Sequence, residues 1–282
     1  YNPYCHQEYW DGNKSSYNRE IYTYHPSLSI VKKDQFFQSK DSKIKKDSDL
    51  IFYGSSFIDH ELFTNLFPEN KNYAVKSYGL DQIYLSYILT KDEFIGSTLI
   101  FGFLPEDLDR VIFHKRNYNK VKYIKEKNQF IESNLPINLS NDSKMQRDFF
   151  TYRFLVSISY LFINNFDYKK SKCKSDFKKE IFIFFMKNII DHAKKNNQNL
   201  IFVTFNFQEE INNETSWRYK FIRDFLKKND ILHIDTKKII ENDIEKNQSQ
   251  VDDYYSDIDL HYNEKANIIV AEEIRKLIKL YK

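Results

Sequence analysis

Two short stretches of this chain carry side chains suited to covalent chemistry: Gly54-Ser55-Ser56-Phe57, and near the far end Asp257-Ile258-Asp259-Leu260-His261. A serine hydroxyl is a weak nucleophile until a base takes its proton, and an imidazole oriented by a carboxylate does this near neutral pH. If residues 259–261 are extended, Asp259 and His261 project to one side, because strand side chains alternate with period two. Asp257 stands as the reserve acid. Ser56 falls where an apolar run gives way to helical spacing. That puts it at a helix N-terminus, where orphan backbone N–H groups and the helix dipole favour the oxyanion of an acyl-transfer intermediate. A serine there is also a good N-cap, and Asp-x-His occurs in ordinary loops, so neither stretch decides the chemistry alone.

The elements that must bring them together are legible as alternating periods. Apolar runs at Leu50–Tyr53, Asn72–Val75, Thr98–Leu104, Asn199–Phe205 and Ile231–Asp235 read as buried strands. Helical spacing covers Ile58–Phe67, Leu80–Leu89, Phe177–Lys195, Trp217–Lys227 and Asn263–Leu280. The alternation predicts an α/β fold, a three-layer α/β/α sandwich around a mostly parallel five-stranded sheet. Of only five glycines, Gly54, Gly79 and Gly102 sit at or just inside the ends of the first three strands, which points to a required backbone conformation or close approach. The carboxyl ends of such strands are where ligands bind. Residues 1–47 read as an irregular lead-in wrapped over a domain of residues 48–282. Residues 110–175 read as an insertion with an aromatic helix near Phe149–Phe162, where Phe149, Phe150, Tyr152 and Tyr160 either pack in a core or meet sugar rings. No compositional break marks a second core.

In combination the motifs resemble the sequence blocks of SGNH (GDSL-like) hydrolases. Gly54-Ser55-Ser56-Phe57 is similar to the first block, with Ser55 where the family has Asp. Tyr78-Gly79-Leu80-Asp81-Gln82 resembles the second, whose glycine N–H helps form the oxyanion hole. Phe101 to Leu108 stands where the third, Gly-x-Asn-Asp, belongs, and Asp259-Leu260-His261-Tyr262-Asn263 resembles the last. The resemblance spans residues 49–109 and about 198–280 and implies a flavodoxin-like fold. It also implies Ser56 as nucleophile, His261 as base, Asp259 as acid, and an oxyanion hole at Ser56, Gly79 and the position of Glu106. Asp81, Gln82, Asp107 and Asn206 become candidate substrate contacts. Glu106 departs from the family's Asn, and an ionised Glu only accepts hydrogen bonds. Either it stays protonated, Asn206 substitutes, or the hole relies on the Ser56 and Gly79 amides. The family's usual acid position is Ile258 here, which makes Asp259 the better candidate. The implied activity is a serine-dependent ester hydrolase or O-acyltransferase acting on O-acetyl groups of a cell-surface or exported polysaccharide. Its partners are an acylated carbohydrate or other small ester.

Composition closes off other classes. The 282 residues are 41% apolar and 29% charged, enough for a real core. Lys and Arg total 43 against 40 Asp and Glu, and the lysines are dispersed, which excludes nucleic acid as the main partner. Lys43–Lys46 reads as a solvated face, and the basic stretch from Lys115 to Lys127 with Arg110 reads as a solvated face ahead of a surface that attracts an acidic glycan. No run reaches the roughly 18–20 apolar residues of a membrane-spanning helix. The chain begins at Tyr1, so a signal peptide or anchor upstream is expected, with a periplasmic, extracytoplasmic or membrane-anchored location. Cys5 and Cys173 are a disulfide or two separate thiols, and the pair supports no metal. Neither Gly-x-Gly-x-x-Gly nor a P-loop occurs, so no cofactor is expected. The other histidines have no ligand partner at sequence spacing and read as structural or surface residues; His60, one turn beyond Ser56, is the one that can face the cleft. Two further readings stay open. One is an α/β-hydrolase with Asp235 as acid, disfavoured because Ile58 stands where its nucleophile elbow needs glycine. The other is a non-catalytic carbohydrate-binding or assembly protein on the same fold, which Glu106 supports.

Overall fold

The computed structural model describes residues 21–33, 50–68, 70–113, 120–133, 135–136, 174–212 and 216–281. The aromatic stretch 149–162, Cys5 and Cys173 lie outside them. The strands are β1 (Tyr22–His25), β2 (Ser29–Lys32), β3 (Leu50–Gly54), β4 (Lys71–Asn72), β5 (Thr98–Phe103), β6 (Tyr123–Glu126), β7 (Gln129–Glu132), β8 (Asn199–Thr204) and β9 (Leu232–Asp235). The α-helices are α1 (Ser56–Asp59), α2 (Glu61–Thr64), α3 (Leu80–Thr90), α4 (Ser175–Lys195), α5 (Gln208–Asn212), α6 (Trp217–Lys228), α7 (Thr236–Asn247) and α8 (Glu264–Ile278).

Five strands form one sheet in the order β4-β3-β5-β8-β9, every pair parallel. The period-two alternation sorts its side chains onto two cores. Ile51, Tyr53, Leu99, Phe101 and Phe202 join α3, α4 and α6 on one face. Leu50, Phe52, Ile100, Ile201 and Val203 join α1, α2 and α8 on the other. Helices on both faces make this the expected three-layer sandwich, and they leave the central strands apolar throughout rather than alternating with polar residues. Tyr53, Phe101 and Phe202 stack across three adjacent strands with ring centroids 5.1 Å apart at each step. Such pairs contribute about 0.5–1.5 kcal/mol each beyond area burial.

Local departures from expectation have local causes. The helix expected over Ile58–Phe67 is two single turns, because His60 takes an extended conformation (φ −69°, ψ 137°) between them. The second strand pairs formally only at Lys71–Asn72, while Tyr73 N–H to Phe52 O (2.8 Å) and Val75 N–H to Gly54 O (3.3 Å) prolong its contact with β3. The lead-in is not irregular over residues 22–32. There β1 and β2 form an antiparallel hairpin whose turn reverses at Ser29 (φ 70°), and Leu28, Ile30 and Val31 enter the core. Within the insertion, β6 and β7 form a second hairpin. Helix α7, which the apolar pattern did not signal, follows β9 directly.

Candidate active site

The strand order places the reversal of winding between β3 and β5, and in flavodoxin-like sheets the ligand crevice lies outside the carboxyl ends of these strands. Gly54 and Gly102 end that pair side by side. A Cβ on Gly102 would lie 2.3 Å from Ile58 Cγ1 and 2.8 Å from Phe205 Cε2, and one on Gly54 would lie 2.4 Å from Gly102 O. Close approach is therefore what these glycines serve: α1 is pressed by Ile58 onto the strand ends. Ser55 donates its N–H to Gly102 O (3.2 Å) and occupies the N-cap of α1 without a side-chain cap bond. That leaves the Phe57 and Ile58 amides without the acceptor that an N-cap side chain ordinarily gives, in addition to the Ser56 amide at the first helical position. Ser56 is the first residue of α1 and is half-buried.

His261 comes to the same turn from the loop before α8. An antiparallel bridge between Tyr255 and Tyr262 closes that loop, with Ser256 N–H to His261 O at 2.8 Å. The buried Tyr262 pins it by hydroxyl contacts with Thr236 Oγ1 (2.6 Å) and the Asn206 N–H (3.3 Å). Asp259 and His261 do converge, but not through the extended backbone expected. Leu260 has φ +60°, and the His261 N–H turns back to Asp259 Oδ1 at 3.2 Å. His261 Nδ1 lies 3.3 Å from Asp259 Oδ2, near enough for an ion pair but without hydrogen-bond alignment, so both ring nitrogens are buried and unbonded. The ring lies against Phe57 (centroids 4.8 Å apart), the residue after Ser56. Since Nε2 has no hydrogen-bond partner, His261 and Ser56 are not hydrogen-bonded; the contact that joins their two segments is that of the His261 ring with Phe57.

His60, the one other histidine expected to be able to face the cleft, reaches the Asp259–His261 pair. Its Nε2 lies 3.1 Å from Asp259 Oδ2, and its ring stacks on His261 with centroids 5.1 Å apart. One carboxylate thus serves two imidazoles. Burial lowers the His261 pKa from its ordinary value; Asp259 opposes this and His60 adds to it. Burial raises that of Asp259, but the His261 N–H and the two imidazoles outweigh it and hold the carboxyl below its usual value. Sequence spacing had no means of finding the His60–Asp259 contact, since the two come from opposite ends of the chain.

The second and third blocks are placed differently from expectation. Asp81, Gln82 and Asp107 are fully buried, so their assignment to substrate contact is corrected. Asp81 is ion-paired with the equally buried Lys120, whose Nζ also donates to Arg110 O (2.8 Å). Asp107 pairs with Arg110, whose guanidinium donates to Tyr78 O (2.8 Å). Gln82 Nε2 donates to Leu28 O (3.1 Å), and the Gly79 N–H points to Gln82 Oε1 at 3.4 Å, at the long limit of a hydrogen bond. Gly79 is packed against Asp81 and Arg110, so its amide is directed inward rather than to an open hole. Arg110 and Lys120 are interior cations, not members of a solvated face. Asn206 is buried, with Nδ2 to Glu210 Oε2 at 3.3 Å and Oδ1 unbonded; Glu106 is close enough to Glu210 to disfavour its charge. Asp235 accepts from the Tyr219 hydroxyl, which occupies the acid of the alternative triad.

The hairpin β1–β2 braces these loops. Asp59, three residues after Ser56, accepts from Tyr22 OH (3.0 Å) and Lys76 N–H (2.9 Å) and pairs with Lys32, while Tyr78 OH donates to Ile30 O.

Solved hydrolase structures are similar to this chain. One is a GDSL-like lipase from Bacteroides thetaiotaomicron VPI-5482, 9% identical, with a TM-score of 0.45 over 83% of this chain and 88% of that one. Another, described as an acylhydrolase, is from Bacteroides fragilis NCTC 9343; it is 9% identical, with a TM-score of 0.43 over 82% of this chain and 86% of that one. No family model matches the chain, and neither does any curated protein.

Proposed function

We propose that this chain is a serine-dependent ester hydrolase or O-acyltransferase. The observation that carries the reading is an Asp–His pair seated against the Gly-Ser-Ser turn at the sheet's switch point, with the imidazole nitrogens buried and unbonded. Ser56 Oγ attacks the ester carbonyl and its proton passes to His261 Nε2. Asp259, beside Nδ1, stabilises the imidazolium and then the same proton goes to the departing alcohol. Water or a sugar hydroxyl releases the acyl group from Ser56. In the resting chain the Ser56–His261 hydrogen bond is not made; such bonds often tighten only when substrate is bound. The oxyanion falls to the first-turn amides of α1, since Gly79 N–H is turned toward Gln82. The O-acetylated polysaccharide substrate rests on the sequence resemblance.

Reaction with a fluorophosphonate tests the assignment. One adduct on Ser56 of the folded chain, absent from Ser56→Ala, is expected. A folded chain that takes no adduct would favour the second reading, a non-catalytic carbohydrate-binding protein, which the inward Gly79 amide and Glu106 support.

A further inference from the structure

We propose that His60, Asp259 and His261 form a binding site for a zinc-class divalent cation, and that the cation switches the serine reaction off. Among the described residues these three form a constellation in which one ligand atom from each lies within 4.8 Å of the others. Two of the separations, His60 Nε2 to Asp259 Oδ2 at 3.1 Å and His261 Nδ1 to Asp259 Oδ2 at 3.3 Å, are near the donor–donor edge of a tetrahedral zinc site. That edge is about 3.4 Å for metal–ligand bonds of about 2.0–2.1 Å. Neither ring nitrogen of His261 is engaged in a hydrogen bond, and neither is His60 Nδ1. Asp259 is the most open of the three, with 38% of its side chain exposed, which gives the cation a way in.

The donor set selects the class. Two imidazoles and one carboxylate suit Zn²⁺ and its neighbours, whereas Mg²⁺ and Ca²⁺ prefer oxygen throughout. Three protein ligands leave a fourth position for water. The consequence for the reaction follows from imidazole chemistry. A cation on His261 Nε2 removes the lone pair that takes the Ser56 proton. A cation on Nδ1 forces the ring hydrogen onto Nε2, with the same result. This inhibition rests on the serine-hydrolase reading; the binding site does not.

The full chain, stripped with a chelator, is titrated with Co²⁺ and Zn²⁺. The expected result is a single saturable site per chain, with the visible ligand-field bands of four-coordinate Co²⁺. Binding should weaken more than about 100-fold in His60→Ala and in Asp259→Asn, beyond the range for loss of an outer-shell partner. His60→Gln, which can still hydrogen-bond Asp259 yet is no zinc-class ligand, must show the same loss, so a folding failure of the alanine variant does not decide the matter. Zn²⁺ should inhibit aryl-acetate hydrolysis with a midpoint at the measured binding constant. In His60→Gln, with each rate taken relative to that variant's own metal-free rate, the midpoint should rise by the same factor by which its Zn²⁺ binding weakens. Absence of saturable binding, or binding unchanged in these variants, overturns the site. Saturable binding at these residues in a chain that hydrolyses no ester upholds the site and removes the inhibitory role with the serine reading.

Discussion

His60 and His261 lie face to face, their rings 5.1 Å apart and inclined by 20°, although one follows the first sheet strand and the other precedes the last helix. The His261 ring also lies against Phe57, next to Ser56. The two imidazoles should therefore differ sharply in function. His261→Ala and Ser56→Ala are expected to lower kcat/KM for an aryl acetate by about 10³ or more, while metal-free His60→Ala stays within about tenfold of the parent. Steady-state kinetics on chelator-treated protein makes the comparison, and equal losses at 60 and 261 would refute the division of roles.

The pH profile follows from the surroundings of His261. A base must be neutral to accept the Ser56 proton. Burial holds this imidazole below its ordinary 6.5, so activity should persist as pH falls through 6.5 and disappear only below it. Asp259→Asn removes the attraction that opposes burial, so the acid limb should move to still lower pH while the plateau drops. An acid limb above 6.5 in the parent would contradict this.

By the resemblance of its block, Glu106 takes the place of an uncharged oxyanion donor, and it adds to the effect of burial in disfavouring the charge of Glu210. Glu106→Asn should raise kcat with little change in KM. The ceiling is the roughly 10²–10³ that one oxyanion-hole donor contributes. A variant no faster than the parent would show that position 106 does not face the reacting carbonyl.

Gly102→Ala forces a methyl group into Ile58 and Phe205. The expected cost is about 1–3 kcal/mol of stability, measured by urea denaturation, with a loss of activity as α1 is displaced. Ile58→Ala in the same chain, which removes both of the Ile58 atoms that the methyl would meet, should recover part of both.

The pair Asp81 and Lys120 is buried on both sides. Removing one partner, as in Lys120→Met, leaves an uncompensated carboxylate and should cost about 3–5 kcal/mol, whereas Asp81→Leu with Lys120→Met should cost much less. Equal losses in single and double variants would show that the pair is screened by solvent.

The fold was largely legible because its strands are runs such as Leu50–Tyr53 and Ile201–Val203, apolar on both faces and bounded by glycine or polar residues. Contacts made only in three dimensions were not. Nothing in the local pattern told that His60 leaves its helix, that Leu260 takes a left-handed turn, or that Lys120 is buried against Asp81. Motif positions were right about where side chains cluster at Asp259 and His261. They misled at Asp81 and Gln82, whose polar character serves an interior network instead of a ligand. The β1–β2 hairpin escaped because its aromatic and polar residues lack clean alternation; its buried part runs from Leu28 at the end of the turn through β2 to Val31.

That hairpin bears on where the working unit begins. A fragment starting at Leu50 would retain every strand of the parallel sheet, yet Asp59 would lose Tyr22 and Lys32, and the segment from Tyr78 to Gln82 would lose its anchors on Leu28 and Ile30. On the proposed serine reading, a chain that keeps these supports of the Ser56 turn has to include Tyr22. Shortening from that side removes Leu28, Ile30 and Val31 from the core together with the supports of the Ser56 turn.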